Sequence, residues 1–232
     1  MRRVWNKGFT KENHPSVLKI SETMRTRKID NFKVWREQMK NEGRIKSRYP
    51  TLKKDGDLAE LMGVVLGDGY IGEFPRTEVL RIVSNANNSG FIHRYGRLVE
   101  KIFEKKPHIA KRKKSNAVDI TMYEKNIGER LSIPTGARRD KKISVPRWIS
   151  SNNEFVVRYL RGLYEAEGTL AFHEKTYTHK IIFTNRNRSL LRNVHGLVRK
   201  LGFHPHYSSY KIQVSRKQEV QDLKNLLRFR DY

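Results

Sequence analysis

This 232-residue sequence predicts an α+β fold made of two related halves, and three observations carry that reading. Leu61-Met62-Gly63-Val64-Val65-Leu66-Gly67-Asp68-Gly69 returns later in the chain as Leu160-Arg161-Gly162-Leu163-Tyr164-Glu165-Ala166-Glu167-Gly168, each copy an apolar run with an internal glycine that ends in a carboxylate and a second glycine. Setting Asp68 on Glu167 also aligns the flanks, which is the mark of an internal repeat. The segments behind each motif alternate between β-rich strand pairs and runs of helical period, so both halves read α-β-β-α-β-β-α.

Taken in order, residues 1–56 form a basic N-terminal extension in which 14 Lys and Arg face five acids before Pro50. Around Ser16–Ile20 and Asn31–Trp35 the pattern suits short amphipathic helices. Trp5, Phe9, Phe32 and Trp35 are interleaved with the basic residues, which suits an accessory DNA-binding arm; the competing reading is a solvated, partly disordered extension. Lys53-Lys54-Asp55-Gly56 leads into the first repeat, residues 57–132. There Val79–Asn85 reads as a strand, Leu98–Phe103 as a helix, Ala117–Met122 as a strand and Asn126–Leu131 as a short helix. A linker over 133–150 holds two of the seven prolines and a basic run and reads as a solvated connector. The second repeat, 151–232, supplies the counterparts Lys180–Asn185, Leu197–Gly202, Lys211–Val214 and Glu219–Leu227.

Composition narrows the function. Net charge is +25, which suits a polyanion partner because neutralising phosphates releases condensed counterions. No apolar run approaches the roughly 18 residues of a membrane span, and the start lacks a signal peptide's apolar stretch, so the chain is expected to be soluble and intracellular, in cytoplasm or organelle. With no cysteine, disulfides, thiol nucleophiles and Cys-ligated zinc are excluded. No glycine-rich loop precedes a Lys-Ser or Lys-Thr, so no nucleotide cofactor is expected. His204-Pro205-His206 has no third ligand nearby and reads as surface or packing histidines.

Gly63 and Gly162 interrupt helical runs, where each costs about 1 kcal/mol relative to Ala. Their use is close backbone approach, so the two motif helices are expected to pack on each other there. Asp68 and Glu167 then meet at the same end of the pair. Two carboxylates that close raise each other's pKa unless a cation lies between them, and a divalent ion resolves the conflict.

These residues resemble the LAGLIDADG homing endonucleases in the single-chain, two-motif form, over about residues 57–232. Leu160–Gly168 matches the motif closely, while the first copy departs at Met62 and Leu66. The resemblance implies two four-stranded antiparallel sheets forming a saddle over duplex DNA, and a monomer. It implies that Asp68 and Glu167 bind catalytic Mg²⁺ with the backbone carbonyls of Gly67 and Ala166, Mn²⁺ or Ca²⁺ being able to substitute for binding. Glu165, opposite Leu66 in the overlay, is left a supporting role. The implied activity is a Mg²⁺-dependent, site-specific endonuclease, a phosphodiester hydrolase of intron or intein mobility, that cuts both strands of a long asymmetric target and leaves short 3′ overhangs. Lys142 and Lys211, or Lys217, are candidates for the catalytic basic residues of the family. For DNA contact the outward strand positions are Arg81, Lys111, Arg112 and Lys113 in one half and Lys180, Arg186, Ser208 and Lys211 in the other. Gly8–Glu12 and Lys19–Met24 weakly resemble the small DNA-binding modules that accompany some of these nucleases. The alternatives on the same scaffold are an RNA-binding maturase, with intron RNA as partner, and a non-cleaving DNA-binding protein.

Overall fold

The structure is a computed structural model and describes residues 6–44, 46, 48–174 and 177–232, apart from the His173 side chain. Trp5 of the basic-aromatic pattern lies outside the described residues. Two compact units are present, Met1–Tyr49 and Pro50–Tyr232. In the first, α1 (Pro15–Thr26) begins on a proline whose fixed φ suits the first helical turn. After a turn, α2 (Lys33–Asn41) follows. No residue of α1 is buried, and Leu18, Ile20, Phe32, Val34 and Trp35 are exposed.

The second unit starts with α3 (Gly56–Asp68), whose N-terminus is capped by the Asp55 side chain accepting from Leu58 N–H at 3.0 Å. Next come β1 (Gly69–Phe74), β2 (Thr77–Asn85), α4 (Ser89–Phe103), β3 (His108–Lys111), β4 (Ala117–Glu124) and α5 (Ile127–Leu131). Past the short α6 (Arg147–Ser150), the second half repeats the order with α7 (Asn153–Glu167), β5 (Gly168–His173), β6 (Thr178–Thr184), α8 (Arg188–Lys200), β7 (His206–Ser208), β8 (Lys211–Val214) and α9 (Lys217–Leu227). Asn152 and Asn187 cap α7 and α8 as Asp55 caps α3. Both sheets are four-stranded and antiparallel, with the equivalent orders β1-β2-β4-β3 and β5-β6-β8-β7.

α3 and α7 form the main contact between the halves. A β-carbon on Gly63 would run into the Tyr159 carbonyl oxygen and lie 2.9 Å from Leu163 N, and one on Gly162 would run into the Glu60 carbonyl oxygen and lie 2.7 Å from Val64 N. The contact is reciprocal, each glycine lying on the backbone turn that precedes and surrounds the other. Leu61, Val64, Val65, Leu160, Leu163 and Tyr164, all fully buried, continue this seam into one core shared by both sheets. Of the buried polar residues, Glu60 lies deepest. Glu60 is 0% exposed and is held by Arg94 at 2.6 and 2.8 Å, by Arg158 at 2.6 Å and by Arg161 at 3.7 Å.

The linker corrects the reading of a solvated connector. Gly136 N–H donates to Ile71 O at 2.7 Å, Asn187 Nδ2 donates to the carbonyls of Arg138 and Lys141, and Ile143 N–H donates to Ser189 Oγ. Ile133, Ile143 and Ile149 are buried. Apolar residues spaced along an otherwise basic stretch pull it onto the body. Among the described residues, no helix is long and apolar enough to cross a membrane.

Candidate functional site

At the ends of the paired helices the chain passes from helix to strand without a loop. Gly69 N–H closes α3 on Val65 O while Gly69 already pairs with Ile82, and Gly168 N–H closes α7 on Tyr164 O while pairing with Phe183. A β-carbon on Gly69 would stand 2.5 Å from Val65 Cα, and one on Gly168 would stand 2.9 Å from the Tyr164 carbonyl carbon. Only glycine fits this junction, and the residue before it is thereby held at the helix end.

That residue is Asp68 in one half and Glu167 in the other. The two ends are in contact: a β-carbon on Gly67 would lie 3.1 Å from Glu167 Cγ. Burial, and after it the charge of Glu167, pushes the Asp68 carboxyl up to about 7. Glu167 is likewise raised by burial, partly offset by Asn185 Nδ2, which donates to Glu167 Oε1 at 3.1 Å. Two desolvated carboxylates at adjoining helix ends bind a proton or a cation far more readily than free acids do. With the neighbouring carbonyls of Gly67 and Ala166, the available donors are all oxygen, the set a hard divalent ion such as Mg²⁺ takes. Among the described residues, no group of three or more His, Asp or Glu side chains is placed to hold a metal ion.

The other candidates scatter more widely. Glu165 accepts from Arg230 N–H at 2.6 Å and from the Tyr232 hydroxyl, contacts that tie the chain's last residues to α7. Lys211 is paired across from Thr184, and the adjacent Tyr210 carbonyl accepts from Asn185 N–H at 3.0 Å, which puts the start of β8 beside the Asn185–Glu167 contact. Lys142 is exposed and lines a cavity of about 850 Å³ between linker and α8 together with Arg139, Lys141, Arg186 and Arg192. Lys217 opens α9 and is exposed.

Pairing register sorts the strand residues by face. Leu80, Ile82, Ile120 and Met122 point into the core, so Arg81 and its partner Thr121 lie on the opposite face. In the second sheet Lys180, Lys211 and Ser208 share the face opposite Ile181, Phe183 and Ile212. Lys111 is a correction: it pairs with buried Val118 and so has the parity of the core face, its exposure coming from its place at the end of an edge strand. Arg112 does reach the outer face, where Asp119 holds it through Nε and Nη2 at 2.7–3.1 Å. Lys113 is exposed in the β3–β4 turn, and Arg186 follows β6 and borders two cavities.

Asn185 and Asn187 went unnoticed in the sequence. Asn185 Oδ1 accepts from Asn187 N–H, as Asn85 Oδ1 does from Asn87 N–H, so a repeated Asn-x-Asn turn follows both long strands. That spacing is visible in the overlay and was the available signal. The second half alone turns the amide onto its motif acid.

The fold and site together define a class: one chain, two repeats, a glycine-locked helix pair and one acid delivered by each motif. Residues 154–232 match the LAGLIDADG-like domain family. The match covers the second repeat, and the first repeat shares its element order and sheet topology. Its structure is similar to mesophilic variants of the homing endonuclease I-DmoI, with TM-score 0.52 and 17% identity over 74% of this chain and 94% of that one. It is similar also to I-DmoI in complex with DNA and Mn, with TM-score 0.50 and 16% identity over 74% and 96% of the two chains. The N-terminal LAGLIDADG domain of DUF199/WhiA matches with TM-score 0.51 and 13% identity over 78% and 84%. At these identities the likeness speaks for the fold. No curated protein sequence matches the chain.

Proposed function

We propose that the chain is a site-specific DNA endonuclease of the homing type that cuts both strands of a duplex with a divalent cation. The observation that carries this reading is the pair Asp68 and Glu167, both desolvated, at the touching, glycine-locked helix ends. I-DmoI, of similar fold, has been solved with DNA and Mn and with DNA and Ca, which supports duplex DNA and an oxygen-liking ion as the ligands here. A bound Mg²⁺ would activate the attacking water and neutralise charge on the scissile phosphate and the leaving 3′ oxygen.

The chain's own residues set where that happens. Asp68 and Glu167, with the carbonyls of Gly67 and Ala166, would anchor the ion, one acid serving each strand. Asn185 fixes the orientation of Glu167. Arg81, Lys180, Ser208 and Lys211, on the sheet faces away from the core, are set to meet base edges and phosphates. The resemblance to homing endonucleases further implies a long asymmetric target, a monomer and short 3′ overhangs. Residues 1–49 add affinity through their excess of Lys and Arg. Removing them weakens binding and flattens its salt dependence but leaves the cleavage chemistry.

The test is selection of cleaved duplexes from a randomised library with Mg²⁺, followed by Asp68→Asn and Glu167→Gln. Cleavage that survives the double substitution sinks the assignment. Binding of intron RNA with no DNA cleaved would make the protein a maturase, and tight duplex binding without cleavage would make it a DNA-binding protein.

A further inference from the structure

The last helix of each repeat leads into a strap that returns to its own motif. α5 and α9 both end on a left-handed residue, Ser132 at φ 53° and Arg228 at φ 46°. Both are closed by the same long bond, Ile133 N–H to Gly128 O and Phe229 N–H to Lys224 O, the Schellman geometry. Ile133 and Phe229, 3% and 4% exposed, bury the start of each strap. From there the first strap is pinned to β1 and the second to α7, through Gly136 N–H on Ile71 O and Arg230 N–H on Glu165 Oε1.

Each strap then brings an arginine to the same backbone atom. Arg138 Nη2 donates to Gly69 O, and also to Val65 O at 2.8 Å; Arg230 Nη2 donates to Gly168 O at 3.4 Å. Gly69 and Gly168 directly follow the two motif acids. The arginines stand at different distances along the chain from their motifs, so overlaying the repeats does not pair them.

Neither guanidinium is neutralised. Ion pairs in the Pro50–Tyr232 unit engage Arg94, Arg112, Arg130, Arg158, Arg161 and Arg216, but neither Arg138 nor Arg230 among the described residues. Arg138 Nη1 is buried with no hydrogen-bond partner, and the side chain lines a cavity of about 310 Å³ shared with Gly67, Gly69 and Asn185. A buried cationic donor without a partner is costly, and here no counter-charge offsets it. Burial alone acts on the Arg138 guanidinium and lowers its pKa, which agrees with a missing counter-charge.

We propose that Arg138 and Arg230 are a pseudo-symmetric pair of phosphate-contacting residues, one beside each motif acid, that take backbone phosphate oxygens of the bound nucleic acid. This rests on the nucleic-acid reading above. The guanidinium suits the task because its planar fork can hold the glycine carbonyl with one edge and a phosphate oxygen with the other. A lysine offers one point of charge and cannot span both.

The experiment measures equilibrium binding of a randomised-sequence duplex in Ca²⁺ against salt, for the full chain, Arg138→Gln, Arg230→Gln and the double variant. Each single change should lower the slope of log K on log salt by about 0.9, the double by about twice that. Melting curves in the same buffers expose a purely structural role, which would lower the melting temperature and leave the slope untouched. Arg230 is exposed, so its variant keeps the test decisive should Arg138→Gln fail to fold. In a DNA-free arm, inorganic phosphate at fixed ionic strength should raise the melting temperature of the full chain more than that of Arg230→Gln. Unchanged slopes with equal phosphate stabilisation overturn the proposal. A chain that binds no duplex yet loses phosphate stabilisation in the variants keeps its anion pair, and the nucleic-acid reading falls. Duplex binding with the expected slopes but no cleavage keeps the pair and removes only the nuclease.

Discussion

Asp68→Asn should stabilise the cation-free protein at alkaline pH and do little in acid. The carboxyl is pushed from 3.8 to about 7 by burial and by Glu167. An acid whose folded pKa exceeds its unfolded value binds its proton more tightly when folded, so stability is lost as pH climbs between those two values and the full loss stands above 7. At about 1.4 kcal/mol per pKa unit the span gives roughly 4 kcal/mol as a ceiling. Water reaching this partly exposed end of the helix pair screens part of it, leaving about 2 kcal/mol as the working figure. Asparagine has the same shape and cannot ionise. Urea unfolding of the full chain with chelator present, at pH 4.5 and pH 8, reads the difference directly: the variant should match the parent at the lower pH and exceed it by about 2 kcal/mol at the higher. An equal gap at both pH values would mean that the Asp68 carboxyl is not held above its ordinary value by burial and by Glu167.

Three further outcomes follow from the same geometry. Mg²⁺ should raise the melting temperature more at pH 8 than at pH 5.5, since it competes with protons for the pair, and the Asp68→Asn, Glu167→Gln double variant should lose the effect in a thermal melt. Gly63→Ala or Gly162→Ala puts a methyl group into the partner helix's backbone, and denaturant titration should show a loss of about 3 kcal/mol, against a slight gain for alanine in an unpacked helix. Glu60→Gln leaves Arg94, Arg158 and Arg161 around a neutral buried amide, and stability should fall by about 3 kcal/mol; a change under 1 kcal/mol would show that the network is hydrated.

Local patterns were legible to the extent that they are periodic or repeated. The doubled motif exposed the helix pair, and alternation of apolar residues exposed β2 and β6, because one face of each strand must stay out of water. Lys111 was misread because parity on a four-residue edge strand depends on its partner, and Val118 supplies that only through pairing. The linker was misread for a related reason: three isoleucines spread through a basic stretch have no period, and their burial depends on surfaces made by other elements. Glu60 gave no signal at all, since its overlay counterpart is Tyr159 and its three arginine neighbours come from α4 and α7.

By itself, the sequence determined a basic, cysteine-free chain with two equivalent motifs, the acids Asp68 and Glu167, and glycines placed for close helix contact. Those properties are carried by residue type and spacing, which folding does not alter. Only tertiary structure decided that the acids are desolvated at touching helix ends, that Asn185 contacts one of them, and that Arg138 and Arg230 reach matching carbonyls from unmatched positions. Such facts depend on distances between residues remote in the chain, and on the water that packing removes.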